Sequence, residues 1–497
     1  MNFTVIDAVI IILYLALSMA AGLWAKRYLE DLEGYIVAGR RVGLSLGIAT
    51  LVATEIGTVT FMYFAELGYV SGFACFILGI LYLIGYSLVG KTGFIVHGLR
   101  RLRVMTIPEF YELRYSRKVR LVGGTILFLA GVLNTAVFLK FDGIFLSEVM
   151  GFGQSAISII MVVMILIVIV YTVLGGMLSV VVTDFMQFVM LSFGMLIATI
   201  FVLAKLHPTS IVEEVMRNYG AEGFNPVVHP RFGWTFMFWT TISIIAASAL
   251  WQPGTMKALA SASADIGKKV YFYTGLTFAG RAMIPMFWGV AALAYYGPKE
   301  ITTAAMPKLL GEVVPTGLLG LLIAGMLAAS MSTYSAYLLS WCSVAVRDVL
   351  ACFHPHDFED VKTMKLIRIL VVIVGLGMLG FGLWYEVPET VYQYLVITGT
   401  MYSAGALGCV AFGLYWKKAN TPGAYISLTL GALGPIAFLL LEKSRDALPY
   451  WIRFLGDINI SGLLGFLFAP TGMIIGSLLT QKSYQPKLLP LFEERSP

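Results

Sequence analysis

The chain is poor in charged residues and in cysteine. Only 12% of its 497 residues are Asp, Glu, Lys or Arg, whereas 59% are hydrophobic, a balance that excludes an ordinary soluble globular protein. The four cysteines lie in or beside apolar runs without metal-ligand spacing, so neither a disulfide framework nor a metal cluster is predicted. The net charge of +6 does not indicate nucleic-acid binding, because the basic residues sit in short loops between apolar runs.

Long apolar runs fill the rest of the chain and predict a polytopic helical membrane protein. Each run is near or above the ~20 residues that a helix needs to cross a bilayer. If the N-terminus lies outside and the C-terminus in the cytoplasm, most Lys and Arg fall in cytoplasmic loops. Thirteen spans are predicted, at residues 3–25, 43–69, 71–90, 119–149, 154–176, 178–204, 234–256, 270–296, 315–345, 366–385, 388–415, 422–441 and 459–480.

The span 43–69 is interrupted by polar residues at its centre. It reads Ala53-Thr54-Glu55-Ile56-Gly57-Thr58, so a carboxylate and a glycine lie where hydrocarbon is expected. A charge at that depth costs ~2.5 kcal/mol or more on insertion scales and usually lines a cavity or an ion path. Broken backbone at membrane depth persists only where it faces protein or water. We therefore predict a discontinuous helix with Glu55 in a functional cavity; the alternative is a protonated Glu55 with a packing role.

A second interruption ends the span 234–256, at Trp251-Gln252-Pro253-Gly254. Proline removes a backbone donor, and the adjacent glycine permits a sharp change of direction. This break follows the first by five spans, so residues 43–205 and 234–416 pair as two halves that each open with a broken helix. An odd number of spans per half inverts the second half, which is typical of secondary transporters whose solute and ion meet at the broken helices. The alternative is a proline kink with packing consequences only.

Hydroxyl groups are concentrated in the span 315–345, which contains Ala328-Ala329-Ser330-Met331-Ser332-Thr333-Tyr334-Ser335. Sodium is a hard cation that prefers oxygen ligands. Ser332 and Thr333 could supply two hydroxyls, and the backbone near Ala329 and the first break could supply carbonyls. The alternative is a hydroxyl cluster that packs helices together.

Three stretches carry a resemblance to a known family. They are Tyr35–Arg41 (YIVAGRR), Tyr171–Met177 (YTVLGGM) with Thr183–Gln187 (TDFMQ), and Ala329–Thr333 (ASMST). In these motifs the chain resembles the sodium:solute symporter family over nearly its whole length. The resemblance implies one transmembrane transporter domain over residues 1–497, all-α, with a leucine-transporter-type 5+5 inverted repeat, one extra N-terminal helix and two extra C-terminal helices.

The resemblance also implies an ion site. Its sodium ligands would be the carbonyls of three residues and the hydroxyls of two more, namely Ala53, Ile56, Ala329, Ser332 and Thr333. Glu55 matches a family aspartate implicated in sodium coupling, and Asp184 matches one near the inner end of the ion path. Sodium is thus the implied coupling ion.

The solute site departs from the well-known members. Trp251-Gln252-Pro253 stands where sugar-transporting members have Asn-Gln, so neither galactose nor proline can be carried over. Lys140, inside the span 119–149 close to Asp142, would suit a carboxylate or an amino acid; the alternative is a structural charge pair. The full set of predicted solute-binding residues is Thr58, Lys140, Trp251, Gln252 and Tyr402.

Two further basic residues are predicted to lie outside the site. Lys257 is assigned to the cytoplasmic loop after the second break, and Arg281 to an interfacial position that it reaches by snorkelling.

The predicted function is sodium-coupled symport of a small organic solute across a cell membrane by alternating access. The first alternative is a proton-coupled transporter that uses Glu55. A channel would need repeated pore elements around an axis, and a membrane enzyme would need catalytic groups within the bilayer. The five histidines all lie in predicted loops, which disfavours the enzyme.

Overall fold

The computed structural model describes residues 2–25, 31–298, 302–353, 359–385, 391–442, 444 and 449–492. Regular structure in these ranges is helical, and the β structure found there is an isolated parallel bridge between Val42 and Ser261. Both predicted halves, 43–205 and 234–416, lie mainly in these ranges; residues 299–301, 354–358 and 386–390 of the second half lie outside them.

In the described residues before residue 220 there are eleven α-helices. They are α1 (Val5–Ala25), α2 (Leu32–Val37), α3 (Leu44–Thr54), α4 (Thr58–Ser71), α5 (Ile77–Thr92), α6 (Val96–Arg101), α7 (Ile107–Arg114), α8 (Arg117–Ala136), α9 (Phe138–Met150), α10 (Ile157–Lys205) and α11 (Pro208–Tyr219). The described residues after them form α12 (Gly233–Leu250), α13 (Gln252–Leu259), α14 (Ala264–Tyr296), α15 (Ala305–Val313), α16 (Leu318–Val344), α17 (Ala351–Phe353), α18 (Asp360–Trp384), α19 (Val391–Tyr415), α20 (Thr421–Leu441) and α21 (Ile458–Leu479).

The helices are long and apolar enough for a multi-pass membrane protein. Within the described residues, 11 helical stretches meet the length and hydropathy needed to cross a bilayer, and Val5–Ala21 and Leu44–Thr54 are shorter apolar helices. The second of these is short because it ends at the predicted break. Several helices begin at capping side chains: Ser116, Ser263 and Asn420 accept hydrogen bonds from backbone N–H groups in the first turns of α8, α14 and α20.

Both predicted helix breaks are present. Helix α3 ends at Thr54 and α4 begins at Thr58, with Gly57 extended between them (φ −99°, ψ 172°). Helix α12 ends at Leu250, Trp251 is extended (φ −81°, ψ 112°), and α13 begins at Gln252. Pro253 therefore occupies the first turn of α13, where its missing N–H costs no helical hydrogen bond.

A glycine also divides α10. Gly176 has φ +57° and ψ −163°, a conformation that L side chains rarely adopt, and it separates the two predicted spans 154–176 and 178–204. A Cβ on Gly176 would lie 2.5 Å from the Tyr35 ring, so the glycine also admits the close approach of α2.

Among the described helical stretches that are long enough to cross a bilayer, the one that contains α16 is the most buried, and other helices surround it. It packs along α10, α1 and α18, and nearly all of its side chains are buried. Asp7 of α1 accepts hydrogen bonds from the N–H groups of Gly317 (2.7 Å) and Gly320 (2.6 Å), so it caps the start of α16 from another helix. The hydroxyl-rich segment of α16 thus lies at the centre of the protein.

The start of α3 is tied to the end of α13. Val42 N–H donates to the Ala260 carbonyl (3.1 Å), and Ala262 N–H donates to the Val42 carbonyl (2.9 Å). One half of each broken helix therefore lies at the same end of the bundle.

Candidate functional site

The first break packs directly against the hydroxyl-rich segment of α16. The Thr333 hydroxyl lies 3.0 Å from the Ala329 carbonyl and 3.4 Å from the Thr54 carbonyl. Thr58 N–H donates to the Ser330 hydroxyl (3.3 Å) across the same interface. Gly57 permits this approach, because a Cβ there would lie only 3.0 Å from the Thr333 hydroxyl oxygen. The structure therefore brings together the two segments from which the sodium site is predicted.

The five predicted sodium ligands are buried together at this interface. Their side chains are at most 3% exposed; the five are Ala53, Ile56, Ala329, Ser332 and Thr333. The last carbonyls of a helix lack intrahelical donors, so the end of α3 offers oxygen ligands. Arg281 donates a hydrogen bond to the Val52 carbonyl, and Thr333 donates one to the Thr54 carbonyl. Ala53 lies between Val52 and Thr54 in the chain. Carbonyl and hydroxyl oxygens of this kind suit a hard monovalent cation.

Asp184 forms a buried polar cluster next to Ser332. Its carboxylate accepts hydrogen bonds from the hydroxyls of Thr50 and Ser332 and lies 3.1 Å from the Lys257 ammonium. Both charged side chains are completely buried. The sequence predicts Asp184 beside the ion path, whereas the assignment of Lys257 to a loop is wrong. Lys257 is on α13, which turns into the protein after the second break.

Arg281 is also buried, contrary to the interfacial position predicted for it. It donates to the Val52 carbonyl at the end of α3, and its guanidinium lies 4.6 Å from the centre of the Phe278 ring. The side chain thus points inward from α14 instead of reaching an aqueous surface.

A second carboxylate, Asp142, is bound to the other side of the hydroxyl segment. It accepts hydrogen bonds from Ser330 (2.6 Å) and Tyr334 (2.5 Å) of α16. Ser330 in turn lies 2.6 Å from the Thr58 hydroxyl at the first break. Asp142 is therefore part of the packing between α9, α16 and α4. In the sequence it stands out only as a neighbour of Lys140, two positions away on the helix, where side chains do not face each other.

A cavity of about 150 Å³ adjoins the two breaks. Glu55 is the charged residue among its lining side chains, and Thr60, Ser243 and Trp251 are also present. The aromatic lining residues are Tyr63, Tyr82, Tyr86, Phe138, Trp251, Phe278, Tyr337 and Tyr392. The Tyr86 hydroxyl interacts with the Glu55 carboxylate. A Cβ on Gly254 would lie 2.5 Å from Glu55 Oε1. The Glu55 carboxylate at the first break therefore packs directly against the Gly254 backbone at the second break.

Among the predicted solute-binding residues, Trp251 lines this cavity, and its indole N–H donates to the Tyr337 hydroxyl (3.1 Å). Lys140 is partly buried on α9 and is not among the lining residues. The cavity wall in this conformation therefore does not include the cation that suggests a carboxylate. Of the aromatic lining residues, Trp251 is the one that the sequence predicts to bind the solute.

The other three predicted solute-binding residues lie outside the lining, and their polar groups have protein partners. Thr58 bonds to Ser330. The Gln252 side chain accepts from Ile107 N–H (2.9 Å) and donates to the Met105 carbonyl (3.3 Å). Tyr402 pairs with the Tyr111 hydroxyl at 2.9 Å.

Similarity to known proteins extends over most of the chain. The model of the sodium:solute symporter family matches residues 35–431. The sodium/sialic acid symporter SiaT of Proteus mirabilis is 23% identical, over 94% of this chain and 96% of that protein. The sodium/proline symporter of Haemophilus influenzae is 24% identical, over 95% and 94%.

A similar fold is found among solved structures. A substrate-bound, outward-open Na⁺-coupled sialic acid symporter, described as revealing a novel Na⁺ site, superposes with a TM-score of 0.80 at 21% identity, covering 96% of this chain and 98% of that one. The nucleobase-cation-symport-1 family transporter MHP1 in a closed conformation superposes with a TM-score of 0.55 at 13% identity, covering 93% and 97%.

Proposed function

The chain belongs to the sodium:solute symporter family, and on that premise we propose that it is a sodium-coupled secondary active symporter of a small organic solute. The observation that carries the proposal is the packing of the first break on α16, where the Thr333 hydroxyl lies 3.4 Å from the Thr54 carbonyl. That contact supports the proposal, because it brings hydroxyl and carbonyl oxygens, the ligand types that sodium prefers, to the interface between the discontinuous helix and the continuous α16. The family and the fold are those of transporters, and no enzymatic role is proposed.

The proposed sodium ligands are the carbonyls of Ala53, Ile56 and Ala329 and the hydroxyls of Ser332 and Thr333. Their burial supports this assignment, because a desolvated ion needs a full set of protein oxygens. Both helix segments contribute ligands, so sodium would hold the first break against α16. A bound ion would thereby stabilise one arrangement of these helices over another.

The proposed topology is thirteen spans, built from inverted halves at about 43–205 and 234–416, with the N-terminus outside and the C-terminus cytoplasmic. The presence of one broken helix at the start of each half supports it. So do the backbone hydrogen bonds of Val42 with Ala260 and Ala262, which join the start of α3 to the end of α13. Inversion of the second half would place these two ends on one side of the membrane.

For the solute we propose a small zwitterion of the amino-acid type. The Glu55 carboxylate would bind an amino group, and the N-terminal end of α4, from which Val59 and Thr60 line the cavity, presents the positive end of a helix dipole to a carboxylate. The cavity volume of about 150 Å³ is below the ~300–1,000 Å³ of common ligand pockets, which favours a small molecule. Sialic acid and proline, named for the two relatives, both carry a carboxylate.

The proposed mechanism is alternating access around this cavity. Sodium binds first and braces α3 and α4 against α16, and the solute then enters between the two breaks. The loaded protein opens inward, and sodium leaves past Asp184. Coupling arises because the ion and the solute contact the same broken helix.

Uptake into proteoliposomes tests the proposal. Purified protein is reconstituted and given radiolabelled amino acids with an inward sodium gradient, an inward proton gradient in potassium buffer, or neither. We expect the solute to accumulate in the vesicles only when the sodium gradient is present. Equal uptake under all three conditions would overturn symport. Accumulation with the proton gradient alone that is lost in Glu55→Gln would instead support the proton-coupled alternative, in which the buried carboxylate of the cavity carries the proton.

A further inference from the structure

Lys257 is a buried cation next to the proposed sodium site. Its side chain is completely buried on α13, and its Nζ atom lies 3.1 Å from Asp184 Oδ2 and 3.6 Å from the sulfur of Met177. Asp184 also accepts hydrogen bonds from the Thr50 and Ser332 hydroxyls. One carboxylate and two hydroxyls in the buried interior form an oxygen cluster that suits a cation, and an ammonium group is present there.

Ser332 connects this cluster with the sodium site. Its hydroxyl donates its single hydrogen to Asp184, which leaves its lone pairs available to an ion. The pair of Asp184 and Lys257 therefore lies one hydroxyl away from the proposed sodium ligands. Four different helices contribute to the cluster, since Thr50 is on α3, Asp184 on α10, Lys257 on α13 and Ser332 on α16.

We propose that the Lys257 ammonium neutralises Asp184 in place of a second sodium ion, so that this protein binds a single free sodium ion. The ion binds at the break, and the carboxylate that could hold a second ion is already neutralised by the chain itself. This inference rests on the proposed function, and it specifies the ion stoichiometry of that function. Lys257 is thus a specificity-determining residue for the number of coupling ions.

The physical reason is repulsion between like charges. A second sodium ion bound to Asp184 would lie about 4 Å from the ammonium, where repulsion between two unit positive charges at an effective dielectric constant of about 20 weakens binding by about 1,000-fold. Removal of the lysine charge would instead favour sodium binding at Asp184, because this residue would be left as a buried, unpaired carboxylate with two hydroxyls around it. Such a site would recruit a sodium ion from solution.

Sodium titration of the purified protein, without any solute, tests this inference. The number of ions bound follows from the limiting slope of the stabilisation free energy against the logarithm of the sodium concentration, at constant ionic strength with choline chloride. We expect a slope of one ion for the wild type and for Lys257→Arg, which keeps the charge. For Lys257→Met we expect a slope approaching two. The matched control Lys269→Met removes an exposed lysine and should keep the slope of one.

The outcomes separate the two proposals. A wild-type slope of two would overturn the single-ion inference while leaving sodium coupling intact, and so would a folded Lys257→Met protein whose slope remains one. If Lys257→Met does not fold, the wild-type slope decides the question by itself. A wild-type protein that sodium does not stabilise at any concentration would overturn the proposed function together with this inference.

Discussion

Ser332 is the residue whose replacement tests the proposed ion site most directly. Its hydroxyl bonds to Asp184 in this structure and is a proposed sodium ligand. A hydrogen bond or ligand contact to a charged group contributes about 1.5–3 kcal/mol, which corresponds to about 10- to 150-fold in affinity. The lost bond to Asp184 affects the sodium-free and the sodium-bound states alike, so it largely cancels. We therefore expect Ser332→Ala to raise the half-saturating sodium concentration by about 10- to 100-fold.

The assay is sodium-dependent thermal stabilisation, followed by sodium-dependent uptake. The variant should remain folded, because Asp184 keeps Lys257 and Thr50 as partners. Ser343→Ala is the matched control: it is a buried serine on the same helix, and its hydroxyl has no hydrogen-bond partner among the described residues. Its sodium dependence should stay within about twofold of wild type. The reasoning is refuted if Ser332→Ala binds sodium normally, or if both variants lose affinity equally.

Two further changes probe the breaks and the central helix. Gly254→Ala would place a methyl group 2.5 Å from Glu55 Oε1, so we expect the carboxylate to be displaced and uptake to fall at least ~10-fold with little change in thermal stability. The control Gly280→Ala, where a Cβ meets nothing within 4 Å, should behave as wild type. Normal uptake by Gly254→Ala would contradict the role of Glu55. Asp7→Ala removes the acceptor for two N–H groups at the start of α16, which should lower the free energy of unfolding by about 1–2 kcal/mol in denaturant titration. Asp7→Asn should retain most of the wild-type stability. Equal stability of the wild type and both variants would contradict the capping role.

Local chemistry accounts for what could be predicted from the sequence. Gly57, two residues after Glu55, permits an extended backbone at the first break, and Pro253 cannot continue the hydrogen bonding of α12 at the second, so both breaks can be located from the residues alone. The hydroxyl cluster of α16 can be recognised for a similar reason, because so many polar groups in an apolar span must face protein. The family motifs predict that these two segments form one ion site.

Pairing between distant helices cannot be predicted in this way. Lys257 reads as an ordinary loop lysine until the turn after Trp251 directs α13 inward, towards Asp184 of α10. Asp142 likewise meets Ser330 and Tyr334 only through the packing of α9 on α16.

The positions of the helix breaks and the supply of oxygen-bearing residues for an ion thus follow from the amino-acid sequence. Which polar groups satisfy one another, and which remain facing the cavity, depends on how the helices pack. Gln252 and Tyr402 bond to protein groups away from the cavity, whereas Glu55 and Trp251 line it. The reason is that a buried polar group takes whichever partner the packing brings within reach, and neither periodicity nor motif specifies that partner.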